Sequence, residues 1–269
     1  MAKITTGKMA ERADRHVLYE QSVQNAPAEI DFIESTFSQL TGRRARLLRE
    51  DFCGTANCAC EWVRRNDSRK AWGIDLDAEV LDWAGRHHLP RLTPAQRRRL
   101  HLVRGNVLTA RVPRVDVALA MNFSYWVFKD RRTMKRYFRR VRAGLAPDGV
   151  FFLDAFGGFE AFRVMEELTD HKDFTYIWDQ ADYNPITGDI TCHIHFRFPD
   201  RSRLRRAFTY QWRLWTLPEL IEMLEESGFR ATAYWEHEDE HGEGTGEFSP
   251  ATRADADAGW VAYIVAEQA

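Results

Sequence analysis

The stretch Leu47-Leu48-Arg49-Glu50-Asp51-Phe52-Cys53-Gly54-Thr55-Ala56 is an apolar run that closes on two acids and a glycine turn. Ala45 to Glu50 predicts a strand and Thr55 to Arg65 a helix, so the chain passes from one regular element to another across Gly54. In an open α/β sheet, ligands lie beyond the carboxyl ends of the strands, where the first βα turn must bring backbone close to them. Gly54 permits that approach. Asp75 ends the next strand about 20 residues on, the spacing at which a carboxylate meets a ribose hydroxyl pair in dinucleotide folds.

Downstream, the same alternation continues. Strands are predicted at residues 71–75, 100–105, 115–121 and 150–154, with helices at 78–87 and 131–145. The second helix carries Met134, Tyr137, Phe138, Val141 and Leu145 on one stripe, with Asp130 as its N-cap. Strands alternating with helices imply parallel strands joined by right-handed crossovers. After Gly157-Gly158 and a short helical stretch, the period shifts to two. Phe174, Tyr176 and Trp178 alternate, then Cys192, Ile194, Phe196 and Phe198, then Phe208, Tyr210, Trp212 and Leu214. Thr216 and Glu219 form a capping box for a helix that stops at Gly228, and strands at 230–235 and 260–266 follow across a polar, Gly-rich loop. The expected architecture is a doubly wound, mostly parallel seven-stranded sheet of Rossmann-like α/β class, with an antiparallel β insertion after strand 5. Residues 43–156 and 216–269 form the α/β domain and 157–215 the insertion. Residues 1–42, two helices broken near Pro27, form an N-terminal lid.

With 38 basic and 40 acidic residues in 269, the net charge of −2 provides no global field toward nucleic acid or anionic lipid. The arginines of residues 131–142 occupy the helix face opposite the apolar stripe, so a solvated surface is expected there and a nucleic-acid partner is not. The N-terminus has no apolar core of a signal peptide and no segment is apolar enough to span a membrane, which predicts a cytoplasmic protein. Of the four cysteines, Cys53, Cys58 and Cys60 crowd one segment and Cys192 stands apart, which suits reduced thiols. No CxxC pair or histidine cluster suggests a metal.

The segment 47–56 resembles the first motif of the class I S-adenosylmethionine-dependent methyltransferases, which often runs acid, two residues, Cys-Gly-Thr-Gly. Glu50 takes the acidic place and Cys53-Gly54-Thr55 match, within a resemblance that spans roughly residues 45–155. It implies S-adenosyl-L-methionine as cofactor. Gly54 would lie under the methionine part with Glu50 and Thr55 beside it, and Asp75 with Leu76 at the ribose. Asn106 and Val107 would face the adenine, and Tyr19 would close over the methionine end. Met121-Asn122-Phe123-Ser124-Tyr125-Trp126 occupies the family's active-site loop, which makes Asn122 and Tyr125 candidates for catalysis and Asn122 a cofactor contact. Phe52 and Ala56 stand where the family has further glycines. Alanine accommodates such a turn when φ is negative. The same two residues argue against a nicotinamide cofactor, whose pyrophosphate needs a glycine-rich turn.

In small-molecule N-methyltransferases of this class, such an insertion roofs the active site. By that resemblance Tyr176, Trp178 and Trp212 would meet the substrate, since an aromatic wall stabilises a desolvated cation by roughly 0.5 to 2 kcal/mol. The plainer alternative is that these rings are the buried face of a sheet. His193 and His195 share a face with Thr191 and Arg197. They read either as the wet side of that sheet or as substrate and proton-accepting residues, with His195 the catalytic candidate. The expected activity is methyl transfer to a small-molecule amine or hydroxyl. The alternatives are cyclisation of the cofactor to a cyclic amino acid plus methylthioadenosine, and a nucleic-acid-binding or regulatory protein. The sequence sets no oligomeric state.

Overall fold

In a computed structural model describing residues 7–242 and 244–269, β1 (Leu47–Asp51) lies between β2 (Lys70–Asp75) and β4 (Val115–Ala120), parallel to both. Outside β2 comes β3 (Leu100–Arg104), and outside β4 comes β5 (Leu145–Gly157), again parallel. The sheet then turns antiparallel through β12 (Trp260–Gln268), β10 (Phe229–Glu238) and β11 (Gly244–Pro250). It therefore has eight strands where seven are expected. The eighth, β11, comes from the stretch predicted as a polar loop. As a mostly exposed edge strand it shows no apolar alternation, and Phe248, 4.5 Å from the Tyr263 ring, is its main anchor.

Helices cover both faces. On one side, α3 (Ala26–Thr41) buries Ile30, Ile33 and Phe37 in the cluster that holds Leu48 and Val117 of the sheet, together with α4 (Asn57–Arg65) and Leu81 of α5 (Ala78–His87). After the short α6 (Pro94–Arg97), α7 (Arg131–Gly144) and α8 (Leu217–Glu225) pack on β5 and β10 on the other side. The Asp130 side chain caps α7 at the Thr133 N–H, and Thr216 makes its capping box, both as the sequence predicts. Asn25 caps α3 with Pro27 inside the first turn, so the helix break falls just before the proline.

The insertion is an antiparallel meander of β6 (Met165–Asp170), β7 (Thr175–Asn184), β8 (Asp189–Arg197) and β9 (Arg203–Arg213). β6 replaces the helical stretch expected there. It is a polar edge strand with both faces wet, so period two leaves no apolar trace. The short α1 (Met9–Arg12) and α2 (Arg15–Val23) pack on this second sheet, with Leu18 among Ile194, Phe196 and Phe198. The residues expected to act together as a lid thus divide: α1 and α2 join the meander, whereas α3 joins the main sheet. Among the described residues no helix is long and apolar enough to cross a membrane.

Candidate active site

The turn between β1 and α4 is left-handed at three alternate positions: Phe52 at φ 56°, Gly54 at φ 51° and Ala56 at φ 58°. The expectation of a negative φ at Ala56 is therefore corrected. Residues other than glycine in this region cost roughly 1 to 2 kcal/mol each, and the surrounding bonds hold them there. Cys53 N–H donates to the Ile74 carbonyl at 3.0 Å and Ala56 N–H to the Cys53 carbonyl at 2.7 Å. A Cβ built on Gly54 would meet nothing within 4 Å, so this residue opens onto free space.

Two carboxylates organise the turn. Asp75 accepts the N–H of Gly54 at 2.8 Å with one oxygen and that of Asp77 at 2.9 Å with the other. Glu50 accepts the Ala59 N–H at 2.8 Å and so does the capping that Ala56, the N-cap of α4, has no side chain to do. Burial, with Glu29, Asp75 and Asp51 nearby, pushes the Glu50 carboxyl up to about 8. On the opposite face of β1, Asp51 is paired with Arg49 at 2.7 Å and accepts the Tyr137 hydroxyl at 2.9 Å.

The loop after β4 is shaped from β5. Asp154 accepts the N–H groups of Asn122 at 2.7 Å and Phe123 at 2.9 Å, both of which have positive φ. Burial raises the Asp154 carboxyl to about 7. The Tyr125 hydroxyl donates to the Asp154 backbone carbonyl at 2.8 Å, and its ring is fully buried. Tyr125 therefore supports the loop from below.

Two cavities open beyond these strand ends. A cleft of about 510 Å³ is lined by Glu50, Gly54, Thr55, Asp75 and Asp77, and walled by residues 206–210 of β9. A second, of about 450 Å³, lies between the main sheet and the meander and presents Tyr176, Trp178 and Trp212. Three side chains, Tyr19, Asn122 and Tyr210, line both. Tyr210 is the residue that the sequence reading left outside the site. Its parity with Phe208 and Trp212 was visible, but its place on the edge strand facing the cleft was not.

The helix α2 is tied over the cleft by polar contacts. Thr55 donates its hydroxyl to Glu20 at 2.5 Å, and His88 Nε2 approaches the same carboxylate at 2.6 Å. Trp83 Nε1 donates to Asp14 at 2.6 Å.

Other sequence candidates are not among the residues lining these two cavities. Leu76 follows Asp75 and is 66% exposed. Asn106 is exposed and turns its carboxamide oxygen to the Leu108 N–H at 2.9 Å, while Val107 is buried. His193 and His195 line neither cavity; Ile194 between them faces the second one, and successive strand residues point to opposite faces. His195 is held by Asp179 at 3.0 Å and accepts the Arg206 N–H at 2.7 Å; His193 meets Thr209 at 2.9 Å. Both histidines are thus engaged within the meander, beside Arg206 and Thr209 of the cleft wall. The four cysteines are free and buried, and among the described residues no group of His, Cys, Asp and Glu is arranged to hold a metal ion.

No family model matches the sequence, and no curated protein matches it. The structure is similar to an S-adenosylmethionine-dependent methyltransferase from Clostridium acetobutylicum ATCC 824, with TM-score 0.70 and 14% identity over 94% of this chain and 97% of that one. It is similar also to CalS10, an amino pentose methyltransferase from Micromonospora echinaspora with bound S-adenosylmethionine, with TM-score 0.67 and 16% identity over 94% and 96% of the two chains. The glycopeptide N-methyltransferase MtfA in complex with S-adenosylmethionine gives TM-score 0.57 and 17% identity over 92% and 96%. The fold is the one these methyltransferases share.

Proposed function

We propose that this protein transfers a methyl group from S-adenosyl-L-methionine to a small-molecule amine or hydroxyl acceptor. The observation that carries the reading is the shared wall: Tyr19, Asn122 and Tyr210 belong to both cavities, so two ligands in them would meet at these three side chains. The similar structures named for an amino pentose and a glycopeptide support a small-molecule acceptor rather than a nucleic acid.

The residues of the cleft fit the cofactor. Gly54 leaves room for its methionine part, and the carboxylates of Glu50, Asp75 and Asp77 suit a ligand carrying hydroxyls and positive charge. Asp75 spends one lone pair on each of two backbone N–H groups and retains others for ribose hydroxyls. The adenine would lie toward Leu76, Asn106 and Val107, at the ends of β2 and β3. When bound, the cofactor supplies an electrophilic methyl group.

The chain's own task is then alignment and exclusion of water. Asn122, fixed from behind by Asp154, and the hydroxyls of Tyr19 and Tyr210 would orient the acceptor, and such positioning contributes roughly 7 to 11 kcal/mol. Residues 157–215 would act as the roof and α1 with α2 as the lid, latched through Glu20. Four free, buried thiols fit a reducing, cytoplasmic setting. The test is incubation with S-adenosylmethionine and a panel of small amines and alcohols, followed by mass spectrometry. S-adenosylhomocysteine with a methylated acceptor supports the reading; methylthioadenosine as the product would replace it with cyclisation.

A further inference from the structure

The second cavity is polarised along its length. Its lining contains three carboxylates, Glu160, Glu167 and Glu236, and no lysine, arginine or histidine. In a chain with nearly equal numbers of acids and bases, that imbalance belongs to the cavity rather than to composition.

The two sheets independently put acid far from the shared wall. In the meander, Tyr210 stands on β9 and Glu167 on β6, the opposite edge, with β8 and β7 between them. In the main sheet, Asn122 follows β4 and Glu236 lies on β10, with β5 and β12 between them. Each path crosses three strand spacings, roughly 14 Å at about 4.8 Å apiece. Rings fill the interval. Trp178 lies 6.3 Å from both Phe156 and Trp212, and Phe123 lies 4.8 Å from Phe156.

The three acids are not equally engaged. Glu160 pairs with Arg163 at 2.6 Å and Glu236 accepts the Gly246 N–H at 2.7 Å. The carboxylate of Glu167, opposite Trp178 in the β6–β7 register, has no hydrogen-bond or ion-pair partner among the described residues.

We infer that the acceptor is an elongated cation. Its reacting amine or hydroxyl lies among Tyr19, Asn122 and Tyr210, its body lies against the rings, and a second positively charged group sits beside Glu167 and Glu236. This rests on the methyl-transfer reading and adds to it a class of substrate, since a phosphate or carboxylate at the far end would meet like charge.

The probes are three molecules of one length: octamethylenediamine, octylamine and ω-aminooctanoic acid. Their affinities are measured by calorimetry on the full chain with S-adenosylhomocysteine present. The diamine should bind about tenfold tighter than octylamine or better, and the amino acid more weakly than either. Glu167→Gln, an exposed substitution on an edge strand, should remove most of the diamine's advantage and leave octylamine unchanged. Equal affinity for diamine and octylamine, an amino acid that binds as well as the diamine, or no binding by any of the three overturns the inference. Cofactor affinity, measured without probes, separates the two claims. If S-adenosylmethionine does not bind, the methyl-transfer reading falls; if it binds and the ranking fails, only the elongated cation falls.

Discussion

Asp75 at the end of β2 accepts the backbone N–H of Gly54 at 2.8 Å, so the carboxylate proposed for the ribose also fixes the turn that opens the cleft. Asp75→Ala should weaken S-adenosylmethionine binding by about 1.5 to 3 kcal/mol, through lost charge-assisted hydrogen bonds and a loosened turn. Asp75→Asn, which keeps one oxygen, should lose less. Calorimetry that finds wild-type affinity in the alanine variant removes Asp75 from the cofactor site.

Glu50 moves from 4.5 to about 8 and Asp154 from 3.8 to about 7, both chiefly through burial. Between those limits the folded chain binds more protons than the unfolded chain. Their contribution to stability is therefore complete below the lower values and is lost as pH rises through the upper ones. A cation beside Glu50 favours its carboxylate, so cofactor binding should release a proton below pH 8 and tighten as pH rises toward that value. The shift in Tm caused by S-adenosylmethionine should be larger at about pH 9 than at about pH 6. Glu50→Gln should flatten that difference, and an equal shift at both pH values in the wild type would refute the coupling.

Glu20 receives both Thr55 and His88, tying α2 to the first turn and to the end of α5. Glu20→Ala should raise KM for S-adenosylmethionine on the order of tenfold, with little change in the circular dichroism of the sheet. Unaltered kinetics in this variant would show that the latch does not govern the cleft.

The rings of the roof divide by burial. Trp212, 3% exposed in the main core cluster, should cost about 3 to 5 kcal/mol of stability when cut to alanine. Trp178 is only half-buried where it lines the second cavity, so Trp178→Ala should lower kcat/KM for the acceptor while cofactor affinity stays the same. Normal turnover per folded molecule in the Trp178 variant would make its ring purely structural.

His195 is engaged by Asp179 and Arg206 and lines neither cavity. His195→Gln should therefore leave kcat within about twofold of wild type across neutral pH. Loss of a basic limb from the pH–rate profile in that variant would restore the histidine to the reaction.

Local pattern was sufficient for much of this protein. Alternation of apolar strands and amphipathic helices, the acid and glycine of residues 50–54, and Asp75 at the next strand end all follow from short-range periodicity and turn chemistry, so the parallel half of the sheet and its cleft were legible in the chain. Edge strands were not. β6 and β11 are mostly exposed, and a strand that buries so little leaves no period to read. Nor could spacing assign the loop after β4, where Asn122 and Tyr125 stand three residues apart. One lines both cavities and the other is sealed beneath Asp154. Alternation put His193 and His195 on the face opposite Ile194, but only the packing of the meander on the strand ends decided which face would line the second cavity. The pairing of Tyr19 with Tyr210 at one wall needed the same information. They are distant in sequence, and they meet because α2 packs on the meander that carries β9.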